Sequence, residues 1–575
     1  MRDAKAAGGD ADNDPTTAST STCTAPPSRS IDDFYNAAYE DGGLNGCTGR
    51  GHRWRYWLLF LSLGVANSGD ATEIGCLNYV LSHPLFIEEI LLRDGATAGA
   101  EGDYGGRGAA IASSIFAGML IGGVVTGAYG DHVGRRPTLL AGLFLNALSG
   151  VCGSLAPTAA ILCLFRFTAG LGIGAVLSSL ITLATELSPP AHRGWYITLV
   201  GGFWTLGAIF VAVLAYVLFE LNDYSWRIFA LIAAAPTLVG GVLVWMFVPE
   251  SPRFLASHGQ YEKASGVVND VADAMGYRGP PLRTEEIRDV FEPLVRSRAR
   301  GGPPQMSGGE ALRKIGSLYG KGLAWRVTVP LQVVWFAMSF GSGLCTWITK
   351  IFELVGLENI YLQSLYFALA NLPGNIFAAY AVDKIGRKTL LFASMAFAAL
   401  SLGMAAEGAR DVDDVRQLQV VLAACSFHAF LVAGWCALSV MTSELFPTSI
   451  RGTGMGVCSG VGRIAGIIVQ FVNGALIHQP LALLLAAAGC MICGAVAPIV
   501  LKTPDMANCP LSDFSGPALG VVEGDGQALM KIVQDDVVAD SQRKAWKSDG
   551  AGDSEMEIDP DGTGLAERRK GREIV

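Results

Sequence analysis

Long apolar stretches alternate with short polar segments along most of the 575-residue chain. Twelve of these stretches approach the ~20 residues that a helix needs to cross a bilayer, six before and six after a polar segment. We number the predicted helices 1 to 12; they span 55–80, 108–129, 137–157, 159–185, 195–219, 226–248, 326–352, 360–382, 388–406, 417–443, 452–477 and 481–501. The pattern predicts an all-α membrane protein with twelve transmembrane helices in two six-helix halves.

The distribution of polar residues divides the chain into five segments. The N-terminal segment is rich in Ser, Thr, Asp and Gly, and the C-terminal segment mixes acidic clusters with a basic end. Because such compositions bury too little apolar surface to fold, both are predicted to be disordered. The predicted segments are an N-terminal arm at 1–50, an N-terminal six-helix bundle at 51–248, a central loop at 249–324, a C-terminal six-helix bundle at 325–502 and a tail at 503–575.

Basic residues are concentrated in alternate connections between the predicted helices. They precede helix 1, occupy the turn between helices 2 and 3, and are frequent in the central loop. The loop at 83–107, in contrast, carries more acidic than basic side chains. Since cytoplasmic loops hold the excess of Lys and Arg, both termini and the central loop are predicted to be cytoplasmic. Either the plasma membrane or an internal vesicle membrane is compatible with this orientation.

Composition excludes several other classes of protein. Only 16% of the residues are charged, against about 25% in soluble domains, and 71 are glycine, which suits helices packed closely in lipid. The net charge of −9 disfavours binding to nucleic acid, because phosphates are negative as well. The 12 cysteines lack the paired spacing of a zinc site or a disulfide framework, so neither a metal nor a cofactor is expected.

One glycine-rich run has the spacing of an enzyme motif. Residues 170–175 read GLGIGA, which fits the dinucleotide-binding fingerprint, but they lie inside predicted helix 4 and follow no strand. We interpret these glycines, and pairs such as Gly118 and Gly122, as positions where helices pack closely. The sequence also has no phosphate-binding loop for ATP, so neither an enzyme nor an ATP-driven pump is expected.

Two short polar signatures occur once in each half. The turn between helices 2 and 3 reads GDHVGRR at 130–136, and the turn between helices 8 and 9 reads DKIGRK at 383–388. A glutamate that precedes an Arg-Gly pair by seven residues follows predicted helix 4, at Glu186, and predicted helix 10, at Glu444. Copies about 250 residues apart indicate a duplicated six-helix unit, related by an axis normal to the membrane.

These signatures make the chain similar to transporters of the major facilitator superfamily over about residues 50–502. The run PESPR at 249–253 resembles the sugar-porter-related branch, whereas ELFPTSIRGTG at 444–454 and DATE at 70–73 resemble the synaptic-vesicle-protein and organic-ion-transporter branch. Sugar porters usually carry paired glutamines in helix 7, and this chain has Gln332 alone. The resemblance implies a secondary transporter that works by alternating access, with an organic ion rather than a sugar as the expected substrate.

Charged residues at the predicted cytoplasmic face repeat in both halves. In related families such networks hold the inner gate closed while the cavity faces outward, and the resemblance implies the same role here. The alternative is that the basic residues only fix the topology of the helices. The predicted gate residues are Gly130, Asp131, Gly134, Arg135, Arg136, Glu186, Arg193, Glu250, Arg253, Asp383, Gly386, Arg387, Lys388, Glu444 and Arg451.

Four ionisable residues lie inside predicted helices, where charges are costly and usually functional. Asp70 and Glu73 share one face of helix 1, and Arg166 lies at a similar depth in helix 4. The resemblance implies that such an acid takes up a proton beside the helix 4 arginine; the alternative is a permanent ion pair. Arg463 in helix 11 is predicted to bind an anionic substrate, unless it pairs with one of the two acids.

Aromatic and amide side chains supply further candidates for the cavity. These candidates are Gln332, Trp335, Asn371, Asn375, Trp204 and Trp435. Tryptophans in membrane helices also serve packing and interface anchoring, and the two asparagines flank Pro373, where a kink frees backbone groups. Lys350, near the outer end of helix 7, is expected to extend outward to solvent.

Together these features predict a monomeric secondary transporter that lies in lipid and moves a small organic ion, an anion in preference, with protons as the coupling ion. The alternatives are a uniporter, a carrier of sugars or organic cations, and a membrane receptor or scaffold that does not transport. Flux into reconstituted vesicles distinguishes a carrier from a receptor, because a receptor binds its ligand without moving it.

Overall fold

A computed structural model describes most of the two predicted bundles and parts of the segments around them. The described residues are 30–41, 53–92, 101–300, 315–320, 324–410, 416–446 and 451–500, with the short antiparallel strands Glu557–Ile558 and Leu565–Ala566. Apart from that strand pair, the predicted tail at 503–575 lies outside the described residues. The other described residues are almost entirely helical, which confirms the predicted all-α class.

Six long helices form the first half. Their bounds are Arg53–Val80 (helix 1), Glu101–Val133 (helix 2), Arg135–Ser154 (helix 3), Ala159–Glu186 (helix 4), Arg193–Ala215 with the π-helical turn Tyr216–Glu220 (helix 5), and Trp226–Ala233 with Ala235–Phe247 (helix 6). The hydroxyl of Thr158 caps helix 4 by accepting a hydrogen bond from the N–H of Ile161 at 3.4 Å. Between helices 2 and 3 the chain turns at Gly134, whose φ of 116° favours glycine.

The second half repeats this arrangement. Its helices are Val329–Ser342, Gly343–Trp347 and Ile348–Leu354 in succession (helix 7), Ile360–Leu369 with Asn371–Ile385 (helix 8), Arg387–Gly408 (helix 9), Gln417–Leu445 (helix 10), Arg451–Leu476 (helix 11) and Pro480–Val500 (helix 12). The turn between helices 8 and 9 falls at Gly386, whose φ is 90°. Gly386 thus matches Gly134 in conformation as well as in motif, as expected for two copies of one unit.

Ten of these helices, counted over the described part of the chain, are long and apolar enough to cross a membrane alone. The other two are helix 1, which contains Asp70 and Glu73, and helix 8, which is interrupted at Ala370. Both depart from the apolar pattern because they carry polar groups that pack inside the protein rather than against lipid. The arrangement agrees with the predicted twelve helices.

Helices 2 and 4 pack through glycine. A Cβ atom added at Gly118 would overlap the carbonyl oxygen of Phe167, and one added at Gly170 would overlap that of Ile115. The two helix backbones therefore touch, which only a residue without a side chain allows. This confirms that the glycines at 170–175 serve helix packing and not nucleotide binding.

A short helix, Ile31–Asp41, lies within the predicted N-terminal arm. Its buried residues are Ile31, Phe34, Tyr35 and Ala38. Their spacing of three and four residues places them on one face, which packs against the central segment. The prediction of disorder at 1–50 is therefore wrong for 31–41. The polar composition averaged over the whole arm conceals the apolar spacing of this one amphipathic helix. The residues at 1–29 lie outside the described part of the chain.

The predicted central loop is largely helical where it is described. It contains the helices Pro252–Ser257, Tyr261–Met275 and Thr284–Arg300. Buried side chains of this segment, such as Val268 and Met275, form one hydrophobic cluster with residues of helices 1, 3, 4, 5 and 6. The segment therefore packs on the first half. We call the side of the molecule on which it lies the inner face, and the opposite side the outer face.

The two halves contact each other at the outer face. The N–H of Thr349 in helix 7 donates a hydrogen bond to Oδ1 of Asn78 in helix 1 at 3.1 Å. Helices 2 and 11 approach so closely that a Cβ at Gly474 would lie 2.9 Å from the Cβ of Ala109. A large cluster of buried side chains from both halves fills this region. The outer face is therefore closed.

Candidate functional site

Two buried acids lie on helix 1, in the stretch where that helix is enclosed by its neighbours. Both Asp70, at 0% exposure, and Glu73 are buried. A Cβ at Gly69 would lie 2.6 Å from the Cα of Thr237 in helix 6, so helix 1 and helix 6 touch at this level. Close packing removes water from the acids, and a buried carboxylate then requires a partner from the protein.

Glu73 forms an ion pair with Arg166 of helix 4. Nη1 of Arg166 lies 3.4 Å from Oε1 of Glu73, and both side chains are buried. The same guanidinium also donates to the backbone carbonyl of Glu73, with Nη1 at 3.4 Å. Of the two acids predicted as partners for Arg166, the structure brings Glu73 and not Asp70 to it.

This ion pair borders a small cavity inside the first half. The cavity has a volume of about 30 Å³, which suffices for about one water molecule. Its lining comes from helices 1, 3, 4 and 6 and from Phe86. Gly150 leaves room for the acid, because a Cβ there would lie 2.9 Å from Oε2 of Glu73. Glu73 and Arg166 therefore lie within the first bundle and not between the two bundles.

Asp70 has a different partner, Asn146 of helix 3. Nδ2 of Asn146 donates a hydrogen bond to Oδ1 of Asp70 at 3.1 Å. Asn146 is absent from the residues predicted from the sequence, although an amide among the apolar residues of helix 3 is a usable signal. The charge of Asp70 is thus met by an amide and not by a cation in direct contact.

Arg463 lies at the seam between the halves. Its Nη1 is 3.8 Å from Sδ of Met119 on helix 2, and its side chain is partly exposed. Among the described residues it has no ion-pair partner within 4.0 Å; the acid whose charge acts on it is Asp70. Arg463 therefore faces the other half with a guanidinium that still has donors available.

Aromatic side chains of the second half pack on helix 11 next to Arg463. The residue before it, Gly462, packs on the ring of Trp335, since a Cβ there would lie 3.1 Å from Cε3 of that ring. Nε1 of Trp335 donates to the hydroxyl of Thr442 at 3.0 Å, and its ring meets that of Trp435 edge to face at 5.4 Å. The predicted candidates Trp335 and Trp435 thus form one unit, close to the guanidinium.

Asn375 joins the two halves near the middle of the bundle. Its Nδ2 donates to the hydroxyl of Thr205 in helix 5 at 2.6 Å, next to the partly buried Trp204. Asn371 is turned to its own helix and donates to the carbonyl of Ala368 at 3.1 Å. Among the described contacts of the two asparagines, the one that joins the two halves is the hydrogen bond of Asn375.

Two further predictions about helix 7 are changed by the structure. Gln332 lies near the inner end of the helix, where its Nε2 donates to the hydroxyl of Tyr319 at 2.5 Å, apart from the aromatic pair. Lys350 does not extend to solvent: it is 8% exposed, and its Nζ lies 2.6 Å from Oε1 of Glu353. The ring of Tyr104 on helix 2 covers this ammonium at 5.1 Å. Closure of the outer face buries Lys350, so its side chain does not extend outward to solvent as predicted.

At the inner face, Glu250 caps helix 3. Its Oε1 accepts hydrogen bonds from the backbone N–H groups of Arg135 at 3.0 Å and Arg136 at 3.1 Å. The turn at Gly134 makes this approach possible, because a side chain there would overlap the carboxylate. The hydroxyl of Ser251 donates to Glu186 in the same region. These predicted gate residues therefore connect the ends of helices 3, 4 and 6 within the first half.

Asp32 of the N-terminal helix binds two predicted gate arginines. Its Oδ1 lies 3.3 Å from Nη2 of Arg193 and 2.5 Å from Nη2 of Arg253. Asp32 lies in the arm whose composition predicts disorder, so no pattern in the sequence indicates these contacts. Burial raises the pKa of the neighbouring Tyr35 hydroxyl, so this tyrosine remains neutral.

The second half repeats part of this network. Nε of Arg387 lies 3.2 Å from Oε2 of Glu444, which joins helices 9 and 10. Lys388 follows in the first turn of helix 9, and Gly130 lies at the end of helix 2 beside Thr138. Of the predicted gate residues Asp131, Asp383 and Arg451, the structure describes the helical backbone but not the side chains.

A wider groove in the described part of the chain lies away from these residues. It measures about 720 Å³ and lies between helices 9 and 10. None of the predicted site residues lines it. The ionisable groups, and not this groove, are therefore the candidate site.

Comparison with protein families finds one match that covers most of the chain. The family described as "Sugar (and other) transporter" matches residues 80–514. Niacin transporter NiaP of Acinetobacter baylyi is 28% identical over 423 residues, which are 73% of this chain and 87% of that protein.

Two relatives from the rat match a smaller share. The synaptic vesicle 2-related protein of Rattus norvegicus is 28% identical over 60% of this chain and 62% of its own length. Organic anion transporter 3 of Rattus norvegicus is 27% identical over 63% of this chain and 64% of its own length. The chain thus spans slightly less than two thirds of these two proteins.

Among solved structures, the inward open xylose transporter XylE from E. coli is similar in fold. The TM-score is 0.63 at 18% identity, over 79% of this chain and 98% of that one. Both bundles are included in a match of this extent.

Proposed function

Because the chain belongs to the sugar (and other) transporter family, within the major facilitator superfamily, we propose that it moves a small organic anion across its membrane by alternating access. Membership makes it a multi-pass membrane transporter of small molecules and not an enzyme. In such folds the two halves rock around a site at their interface.

One observation supports an anion: the guanidinium of Arg463 at the seam. It has no ion-pair partner among the described residues, and it lies where both halves meet. A guanidinium binds a carboxylate through two parallel hydrogen bonds, which a neutral sugar cannot match. The aromatic pair Trp335 and Trp435 beside it suits a flat ring on such a ligand.

The relatives suggest the first substrate to test. One is named a niacin transporter and another an organic anion transporter, and niacin is an aromatic monocarboxylate. We propose an aromatic or other small monocarboxylate as the cargo, with its carboxylate on Arg463 and its ring near the tryptophans.

We also propose that a proton accompanies the anion, with Asp70 as its carrier. Asp70 is fully buried and belongs to the first half, whereas Arg463 belongs to the second. When the halves rock, the distance between this acid and this cation changes, and the affinity of Asp70 for a proton changes with it. Glu73 is less suited, because Arg166 stays beside it in the same half.

Uptake of labelled nicotinate into proteoliposomes tests the substrate and its driving force. Wild-type protein is expected to accumulate the anion when the outside is acidic, and Arg463→Gln to lose at least tenfold, the cost of about one charge-assisted hydrogen bond. Asp70→Asn is expected to abolish accumulation driven by the pH gradient but to retain exchange of anion for anion.

The controls for this assay separate the alternatives. Arg296→Gln, at an exposed site of the helix Thr284–Arg300, is expected to transport like the wild type. Uptake of xylose but no monocarboxylate would reject the anion assignment. Binding without any flux would identify a receptor.

We propose that the charged residues at the inner face form the predicted gate. We also propose that both termini are cytoplasmic and that the protein is a monomer. In this structure Arg193 is bound by Asp32 and Glu444 by Arg387, each within its own half. Closing the inner face would bring Arg193, from the first copy of the Glu-to-Arg signature, close to Glu444, from the second copy, across the seam. Arg193→Ala and Glu444→Ala are expected to favour the inward-open state, measured as faster labelling of cysteines introduced in the cavity; unchanged labelling would contradict the gate.

A further inference from the structure

We infer that Asn146 is a positioning residue that holds Asp70 in both of its protonation states, an inference that rests on the proposed proton coupling. The amide lies on helix 3 and is 1% exposed. Its Nδ2 donates to Oδ1 of Asp70 at 3.1 Å. No cation makes a direct contact with Asp70 among the described residues, so this amide is the group that meets the acid.

The two remaining oxygens of the pair support this role. Oδ2 of Asp70 and Oδ1 of Asn146 are both buried, and neither has a hydrogen-bond donor among the described residues. Two buried acceptors without donors are unfavourable. A proton on Oδ2 of Asp70 supplies one donor, and the acid O–H can then bond to the amide oxygen while the amide N–H bonds to the acid carbonyl.

An amide is the neutral side chain suited to both states. To an ionised Asp70 it donates through Nδ2, and from a protonated Asp70 it accepts through Oδ1. Leucine offers neither group, and an ionised carboxylate offers only acceptors. The proton comes from water on the open side of the carrier and returns to water on the other side, so no further reactant is needed.

Asn146 is fixed relative to Asp70. A Cβ at Gly172 of helix 4 would lie 2.8 Å from the backbone nitrogen of Asn146, so the two helices are in backbone contact there. Helices 1, 3 and 4 belong to one half and move together. Asn146 therefore accompanies Asp70 through the transport cycle, while Arg463 moves away from it and returns.

The other charged groups around Asp70 are few. Glu73 lies on the same helix and is paired with Arg166 of helix 4, and Arg463 faces Asp70 from helix 11. Helix 6 presents Thr237 and helix 5 presents Gly207 to this stretch of helix 1, and neither ionises. The protonation of Asp70 is thus set by Asn146 within the half and by Arg463 across the seam.

Infrared difference spectroscopy of the full chain in lipid nanodiscs tests this role without any substrate. The C=O stretch of protonated Asp70 is identified as the band that Asp70→Asn removes, and its intensity is followed against pH. Asn146→Leu is expected to raise the titration midpoint by about one pH unit, because the carboxylate loses a charge-assisted bond and the acid only a neutral one. The isosteric Asn146→Asp is expected to raise it further, because two carboxylates then share the site.

The control is Ser401→Ala, which removes a buried hydroxyl from helix 9 and is expected to leave the midpoint unchanged. If Asn146→Leu does not fold, Asn146→Asp decides alone. An unmoved midpoint in the folded Asn146 variants, or no carboxylic acid band at any pH, would overturn the inference. Failure to transport nicotinate, in contrast, would reject only the proposed cargo, since the band is measured without it.

Discussion

The ionisable side chains inside the bundle have partners of different kinds. Glu73 has the guanidinium of Arg166, and Lys350 has the carboxylate of Glu353. Asp70 has only an amide in direct contact, which leaves its charge dependent on what approaches it. A buried ion pair is permanent as long as both partners stay in one half, whereas a lone acid can change its protonation state. The direct partners of these residues thus distinguish the structural ion pairs from Asp70, the candidate for proton coupling.

The space around Glu73 depends on one glycine. Gly150→Ala is expected to destabilise the protein by about 1–3 kcal/mol, because its Cβ would lie 2.9 Å from Oε2 of Glu73 and 3.0 Å from the Cβ of Ala234. Thermal unfolding in detergent measures this. Gly403→Ala in helix 9 is the control, since nothing lies within 4 Å of its Cβ position, and it is expected to be neutral or stabilising. Equal midpoints for the two variants would contradict the packing argument.

The hydrogen bonds and ion pairs of the inner face lie at the ends of helices. The Glu250 carboxylate accepts hydrogen bonds from two of the first N–H groups of helix 3, an arrangement that the helix dipole also favours. The N-terminal helix Ile31–Asp41 is attached in two ways, by a buried face and by the partly exposed pairs of Asp32. Burial is the larger effect, because partly exposed ion pairs contribute only about 0–1 kcal/mol each.

This difference can be measured in the N-terminal helix. Tyr35→Ala removes a fully buried ring and is expected to undock the helix, at a cost of about 3–5 kcal/mol. Hydrogen exchange at 31–41 should then approach the rate of an unfolded peptide. Asp32→Ala is expected to raise exchange only a few-fold, and Glu40→Ala, at an exposed position, to leave it unchanged. A larger effect from Asp32→Ala than from Tyr35→Ala would reverse the order of the two contributions.

The whole molecule is closed at the outer face. Helices 2 and 11 touch at Gly105 and Gly474, and Asn78 binds the backbone of Thr349 across the seam. These contacts join the halves, so they must separate for the cavity to open outward. The buried Lys350 lies in the same region and would become hydrated on opening.

A wedge between helices 2 and 11 tests this closure. Gly474→Trp is expected to hold the outer face open, because its ring cannot fit where a single Cβ already lies 2.9 Å from the Cβ of Ala109. Transport should fall to background while labelling of a cysteine introduced at Thr349 from the outer side increases. Gly489→Trp, which points to open space on helix 12, is the control and should transport normally. Normal transport by Gly474→Trp would show that this contact is not part of closure.

The sequence alone determined the helices, their pairing into two halves and the repeated turns. Apolar length and the φ that glycine permits are local properties, so Gly134 and Gly386 could be identified from the motif. The acids and arginines of the membrane segments were also visible, because charge in an apolar run is conspicuous. Tertiary structure decided which of them meet: Glu73 and not Asp70 reaches Arg166, Asn146 reaches Asp70, and Asp32 reaches Arg193. These pairs join residues far apart in the chain, and their distances depend on how whole helices pack, which no local pattern encodes.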